Sequence, residues 1–72
     1  MKYLASEEER SKKRTETVKR QCLVLGVSSA EIIRRAKISR SVFHSFLTGG
    51  NTTTKNLEKI AVALEVEPEE IL

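Results

Sequence analysis

Arg40, Ser41, His44, Ser45 and Thr48 return at the spacing of helical turns, and each carries a short polar group. Together they offer a guanidinium, an imidazole and three hydroxyls. Such groups recognise a polar edge by hydrogen bonding; they do not assemble a reaction centre. His44 is the only histidine and Cys22 the only cysteine. No Ser/His/Asp or Cys/His set can be drawn from them, and no Cys/His cluster suits zinc. Gly49-Gly50 reads as a helix stop and not as a phosphate-cradling loop. The expectation is a protein that is not an enzyme, with no cofactor, no metal and no small-molecule ligand.

The elements that must hold this polar face can be read from local spacing. With about 100° per residue from Arg40, Val42, Phe43, Phe46 and Leu47 fall in one arc of roughly 200–340°. Arg40, Ser41, His44, Ser45 and Thr48 fill roughly 0–140°. Residues 40–48 therefore form a helix with an apolar and a polar side, capped by Ser39 and ended by Gly49. Before it, Ser28 and Glu31 match a capping box for a short helix to Ala36, with Ile32, Ile33 and Ala36 inward and Arg34 and Arg35 outward. A first helix starts at Ser6, again with Glu three residues on, and ends near Gly26. From Glu7 to Glu16 it has no apolar residue; Val18, Cys22 and Leu25 form its only stripe. A fourth helix follows Thr53, with Leu57, Ile60, Ala61 and Leu64 inward. A last one opens on Pro68, with Ile71 and Leu72 closing the base of the core.

The fold class is thus all-α: a compact bundle of four to five short helices with a longer charged N-terminal helix. The 72 residues allow one small domain, which buries only about 60% of its unfolded surface. We divide it into a charged arm or helix extension, 1–16, and a domain, 17–72. Two short helices joined by Lys37-Ile38-Ser39 form a helix-turn-helix. The second helix must project its polar side, and a projecting helix fits the DNA major groove, about 12 Å wide. The net charge is +3. Between Arg10 and Arg40 there are ten Lys or Arg against Glu16 and Glu31; after Asn56 five Glu oppose Lys59. That asymmetry suggests a basic face for a polyanion.

From Val18 to Leu72 the sequence resembles the lambda-repressor-like, or Cro/repressor-type, helix-turn-helix family. The resemblance lies in Ser28-Ser29-Ala30-Glu31-Ile32, in Ala36-Lys37-Ile38-Ser39-Arg40-Ser41, in Phe46 and Gly49, and in the run from Leu57 to Leu72. Departures are Lys37, where the family usually has Gly in a left-handed turn, Ile33 for Ala, and Leu47 for Glu. A Lys in that turn costs about 1 kcal/mol if the geometry is kept. The resemblance implies a sequence-specific transcriptional regulator, a repressor of bacterial or phage type. It further implies binding to double-stranded operator DNA as a homodimer.

With the arc analysis, the resemblance implies that Arg40, Ser41, His44 and Ser45 contact bases. It also implies that Ser28, Ser29, Ser39, Thr48, Asn51, Thr52 and Lys55 hold the DNA backbone. Arg40 has phosphate contact as its alternative, His44 an idle surface position, and Ser39 a structural cap. Residues Arg10 to Arg14 read equally as a DNA-contacting arm or as a solvated helix face. Val62, Ile71 and Leu72, or else Tyr3 and Leu4, are the apolar residues available to a dimer contact. The competing function is a protein-interaction module of the same fold, an antitoxin or adaptor. A lone cysteine and the lack of a long apolar run suggest the cytoplasm and no membrane partner.

Overall fold

The computed structural model describes residues 6–72. They form α1 (Glu7–Leu25), α2 (Ser29–Ala36), α3 (Arg40–Leu47), α4 (Thr54–Leu64) and a 3-10 turn (Pro68–Ile71), with no strand among the described residues. A side-chain oxygen opens every α-helix: Ser6 accepts from Glu9 N–H, Ser28 from Glu31, Ser39 from Val42 and Thr53 from Asn56. Each bond satisfies one of the four N–H groups that a helix start leaves unpaired. The capping box of α1 is complete, since Glu9 accepts from Ser6 N–H at 2.9 Å. The box expected for α2 is half formed. Glu31 turns its carboxylate to Arg34 and Arg35 instead, because two guanidiniums outbid one backbone N–H.

Helix ends are equally local. Gly26 and Gly49 take left-handed conformations after α1 and α3, and Lys37 and Glu65 do so after α2 and α4. In the last three, two reverse bonds close the end, such as Gly49 N–H to Phe46 O and Gly50 N–H to Ser45 O. Lys37 keeps the left-handed turn at φ 57°, ψ 47° despite its Cβ. The last element is a 3-10 turn and not an α-helix, as four residues between Glu67 and Leu72 allow only one tight turn.

Phe46, Ile32, Ile60, Leu64 and Ile71 are fully buried and form the centre of the core, with Val18, Ala36, Phe43, Ala61 and Ala63 around them. The Phe43 and Phe46 rings stack with centroids 5.9 Å apart. α2 packs on α4, while α1 packs on α3 and the 3-10 turn. Ile71 is 0% exposed, so it closes the core and is not available to a dimer contact; Leu72 is 54% exposed and does not close it. Tyr3 and Leu4 lie outside the described residues.

The largest correction concerns the first half of α1, where the sequence suggested a solvated or DNA-facing end. α1 runs unbroken through residues 16 and 17, and Arg14 is only 4% exposed. Its Nε donates to Ile71 O at 2.9 Å and its Nη1 to Phe46 O at 2.9 Å and Gly50 O at 3.1 Å. Its guanidinium also stands 4.8 Å over the Phe46 ring, a favourable cation–π contact. Arg10, Ser11, Thr17 and Gln21 share this inner face, each donating to a backbone carbonyl. The face has helical spacing but is polar, so hydropathy alone misses it.

Burial and the neighbouring Arg10 hold the Arg14 pKa below the usual arginine value. It still carries its charge at neutral pH, because an arginine starts from so high a value. Replacing it takes a donor from three carbonyls, of which Phe46 O keeps the Gly49 N–H. Arg14→Met should lower the unfolding free energy by about 3 kcal/mol, measured by urea denaturation. Lys37→Gly should act in the opposite direction, raising it by roughly 0.5–1 kcal/mol, because glycine takes the left-handed turn without a Cβ clash.

Candidate nucleic-acid interface

α3 is held at both ends and bared along one side. Its start is set by the Lys37 turn, where Ile38 N–H reaches back to Ile33 O, and by half-buried Ile38 packed on the core. Its end is set by α1: Ser11 Oγ donates to Leu47 O at 2.6 Å and Arg10 Nε to Gly49 O at 3.0 Å, beside the Arg14 bonds. Gly49 sits on the α1 backbone so closely that a Cβ there would collide with the Glu7 carbonyl. Only glycine satisfies both that approach and φ 85°.

Between these anchors Arg40, Ser41, His44, Ser45 and Thr48 are all exposed, while Phe43 and Phe46 are buried. Ser41 and Ser45 line a groove of about 290 Å³ with Asn51 and Thr52, so the structure brings these four together. Val42, Thr53 and Asn56 complete the lining. Asn56 and Val42 are the positions that sequence reasoning overlooked. Val42 lies at the edge of the apolar arc next to Ser45, which was the available signal. Asn56 is one turn past the Thr53 cap, facing back toward α3.

The remaining candidates are spread out. Ser28 and Ser29 are exposed at the start of α2. Ser28 and Ser39 spend an oxygen lone pair on their caps, so their O–H groups stay available as donors. Thr48 spends its only hydrogen on Ser45 O at 3.0 Å, and Thr52 points toward Gly50 O at 3.5 Å. Lys55 does not join the Ser41 groove. It lines a second groove, of about 420 Å³, with Arg35, Ala36, Lys37, Glu58, Lys59 and Val62.

Part of the positive charge between Arg10 and Arg40 is engaged within the protein. Arg14 is buried, Lys13 donates to Glu69 O, Arg20 pairs with Glu70, and Arg34 and Arg35 pair with Glu31. Among the described residues no cluster of His, Cys, Asp or Glu could hold a metal ion. No described helix is long and apolar enough to cross a membrane.

Residues 18–72 match the family model of the Cro/C1-type HTH DNA-binding domain. The chain belongs to this family. No curated protein and no solved structure matches the chain. In this Cro/C1-type domain, α2 and α3 are the helix-turn-helix pair, and the matched span begins at Val18. Arg10, Ser11 and Arg14, which hold the end of α3, therefore precede it.

Glu31 fixes the two arginines of α2, with Arg34 at 2.6 Å and Arg35 at 3.1 Å. Hydrogen bonds from Arg34 and then Arg35 hold its carboxyl below the usual glutamate value. A carboxylate whose folded pKa is depressed adds stability above its unfolded pKa and loses it as pH falls through the folded one. An NMR titration of the Glu31 carboxyl carbon should give a midpoint below that of an unstructured glutamate. Glu31→Gln should remove that part of the acid dependence of unfolding.

Proposed function

We propose that the protein is a sequence-specific transcriptional regulator, a repressor of bacterial or phage type, that lays α3 in the major groove of operator DNA. The observation that carries the reading is the division of α3: Phe43 and Phe46 anchor it while Arg40, Ser41, His44 and Ser45 stay exposed. Arg40, at the first turn, presents paired donors suited to the O6 and N7 acceptors of guanine. Ser41, His44 and Ser45 read neighbouring base edges. Their small size lets the helix backbone come close.

Ser28, Ser29, Ser39 and Asn51 hold sugar-phosphate groups and set register. Thr48, Thr52 and Lys55 join them only by rearranging. Thr48 must release Ser45 O, Thr52 must release Gly50 O, and Lys55 must extend from the second groove. Asn56 and Val42 add a polar and an apolar contact on the groove wall, the latter suited to a thymine methyl. The protein acts in the cytoplasm as a homodimer on a two-fold site, with half-sites about one helical turn apart. Val62, 77% exposed, and Leu72 are its apolar contacts.

One observation favours a second reading, a protein-interaction module: Leu23 and Val24 are 84% and 69% exposed side by side on α1. Selection from random duplexes followed by anisotropy titration separates the two. A DNA-reading protein should select a consensus, and its affinity should fall steeply as salt rises. Arg40→Ala should weaken binding by about 1–3 kcal/mol and relax preference at one base pair. Unchanged affinity and preference in that variant would refute the assignment of α3, and a chain indifferent to all duplexes would favour the second reading.

A further inference from the structure

The helix that reads DNA in this proposal must end somewhere, and its end is finished by another part of the chain. An α-helix leaves its last four carbonyls without intrahelical partners, and they form the negative end of its dipole. At the end of α3 and in the turn after it, Phe46 O, Leu47 O, Gly49 O and Gly50 O all receive donors from α1. Arg14 takes the first and last of these, Ser11 the second and Arg10 the third. Arg14 and Arg10 also place positive charge at that negative end. The Glu7 carbonyl presses on Gly49, where no Cβ would fit. Every one of these residues on α1 precedes Val18, where the family match begins.

We propose that residues 7–14 of α1 are a clamp that positions α3 and the loop after it for DNA, and that Arg10, Ser11 and Arg14 are positioning residues. The inference rests on the DNA-reading role of α3 proposed above. The clamp acts on the groove directly. Gly50 accepts from Arg14 and donates to Ser45 O, and Asn51 and Thr52 follow it along the groove wall. Loosening the carbonyls therefore shifts Asn51 and Thr52 against Ser41 and Ser45, the residues they face.

Ser11 separates this role from direct DNA contact. Its hydroxyl has one hydrogen, and that hydrogen is held by Leu47 O at 2.6 Å. A phosphate offers only acceptors, so Ser11 cannot bond to it while the clamp is closed. Ser11→Ala also removes no charge, so it leaves counterion release unchanged. Lys12, exposed beside it, is the reverse case: it carries charge but takes no part in the clamp.

The test uses the full chain with Ser11→Ala, Arg14→Lys and Lys12→Ala. Affinity is measured for the duplex selected by the unaltered protein and for an unrelated duplex of equal length, corrected for the folded fraction. Amide hydrogen exchange is followed on the free proteins. Ser11→Ala should lower the ratio of selected to unrelated affinity about threefold to tenfold. It should speed exchange at Gly49 and Gly50 while leaving Leu64 unchanged; Lys12→Ala should leave the ratio unaltered. Arg14→Lys should show the same pattern more strongly wherever it stays folded. A ratio unchanged in Ser11→Ala, or reduced by Lys12→Ala alone, overturns the clamp. If the unaltered protein selects no duplex, the DNA reading fails and exchange alone decides. Local loosening at Gly49 and Gly50 then supports residues 7–14 as the hold on the end of α3, with no role in DNA reading, and uniform or unchanged exchange overturns that too.

Discussion

A single guanidinium ties the first helix to segments more than thirty residues further along the chain. Arg14 reaches the end of α3, the turn after it and the closing 3-10 turn, and it covers the Phe46 ring. Burying a charge is costly unless its donors find partners. Here backbone carbonyls serve in place of a carboxylate, and among the described residues no buried side-chain nitrogen or oxygen lacks a partner. The arrangement solves two problems at once. The carbonyls at a helix end need donors, and a buried arginine needs acceptors. Neither could be buried alone.

From that junction the rest of the domain follows. α1 does not pack through an apolar stripe along its whole length; its first half packs through donors, and only Val18 and Cys22 continue the face into the core. Ile71 is drawn into the centre beneath Arg14. α3, fixed by two buried phenylalanines on one side and by α1 at its end, has nowhere to turn its polar side except outward. The groove beside it is walled by the loop that Gly50 begins, a residue held from both directions. A bared reading face is thus a product of what holds the helix from behind.

How much of this was legible in the sequence depended on distance along the chain. The caps at Ser6, Ser28, Ser39 and Thr53 were readable because a hydroxyl and an N–H three residues away are a local pair. The two sides of α3 were readable because helical period and hydropathy agree there. The role of Arg10, Ser11 and Arg14 was not, since their acceptors lie more than thirty residues away and are backbone atoms, which side-chain identity does not reveal. Counting charge does not reveal Arg14 for the same reason: a buried arginine spent on carbonyls looks, in the sequence, like one facing solvent. Glu31 shows the limit of even a local motif, as the carboxylate of an expected capping box had a better offer one turn further along.

The polar seam between α1 and α3 also shapes how the protein responds to temperature. Exposing apolar surface raises the heat capacity of unfolding, whereas exposing polar surface lowers it. An interface built from guanidinium, hydroxyl and carbonyl groups contributes little or negatively to that quantity. The free energy of this domain should therefore trace a shallower dome against temperature than that of an equally long bundle sealed with leucine, and cooling should weaken it less.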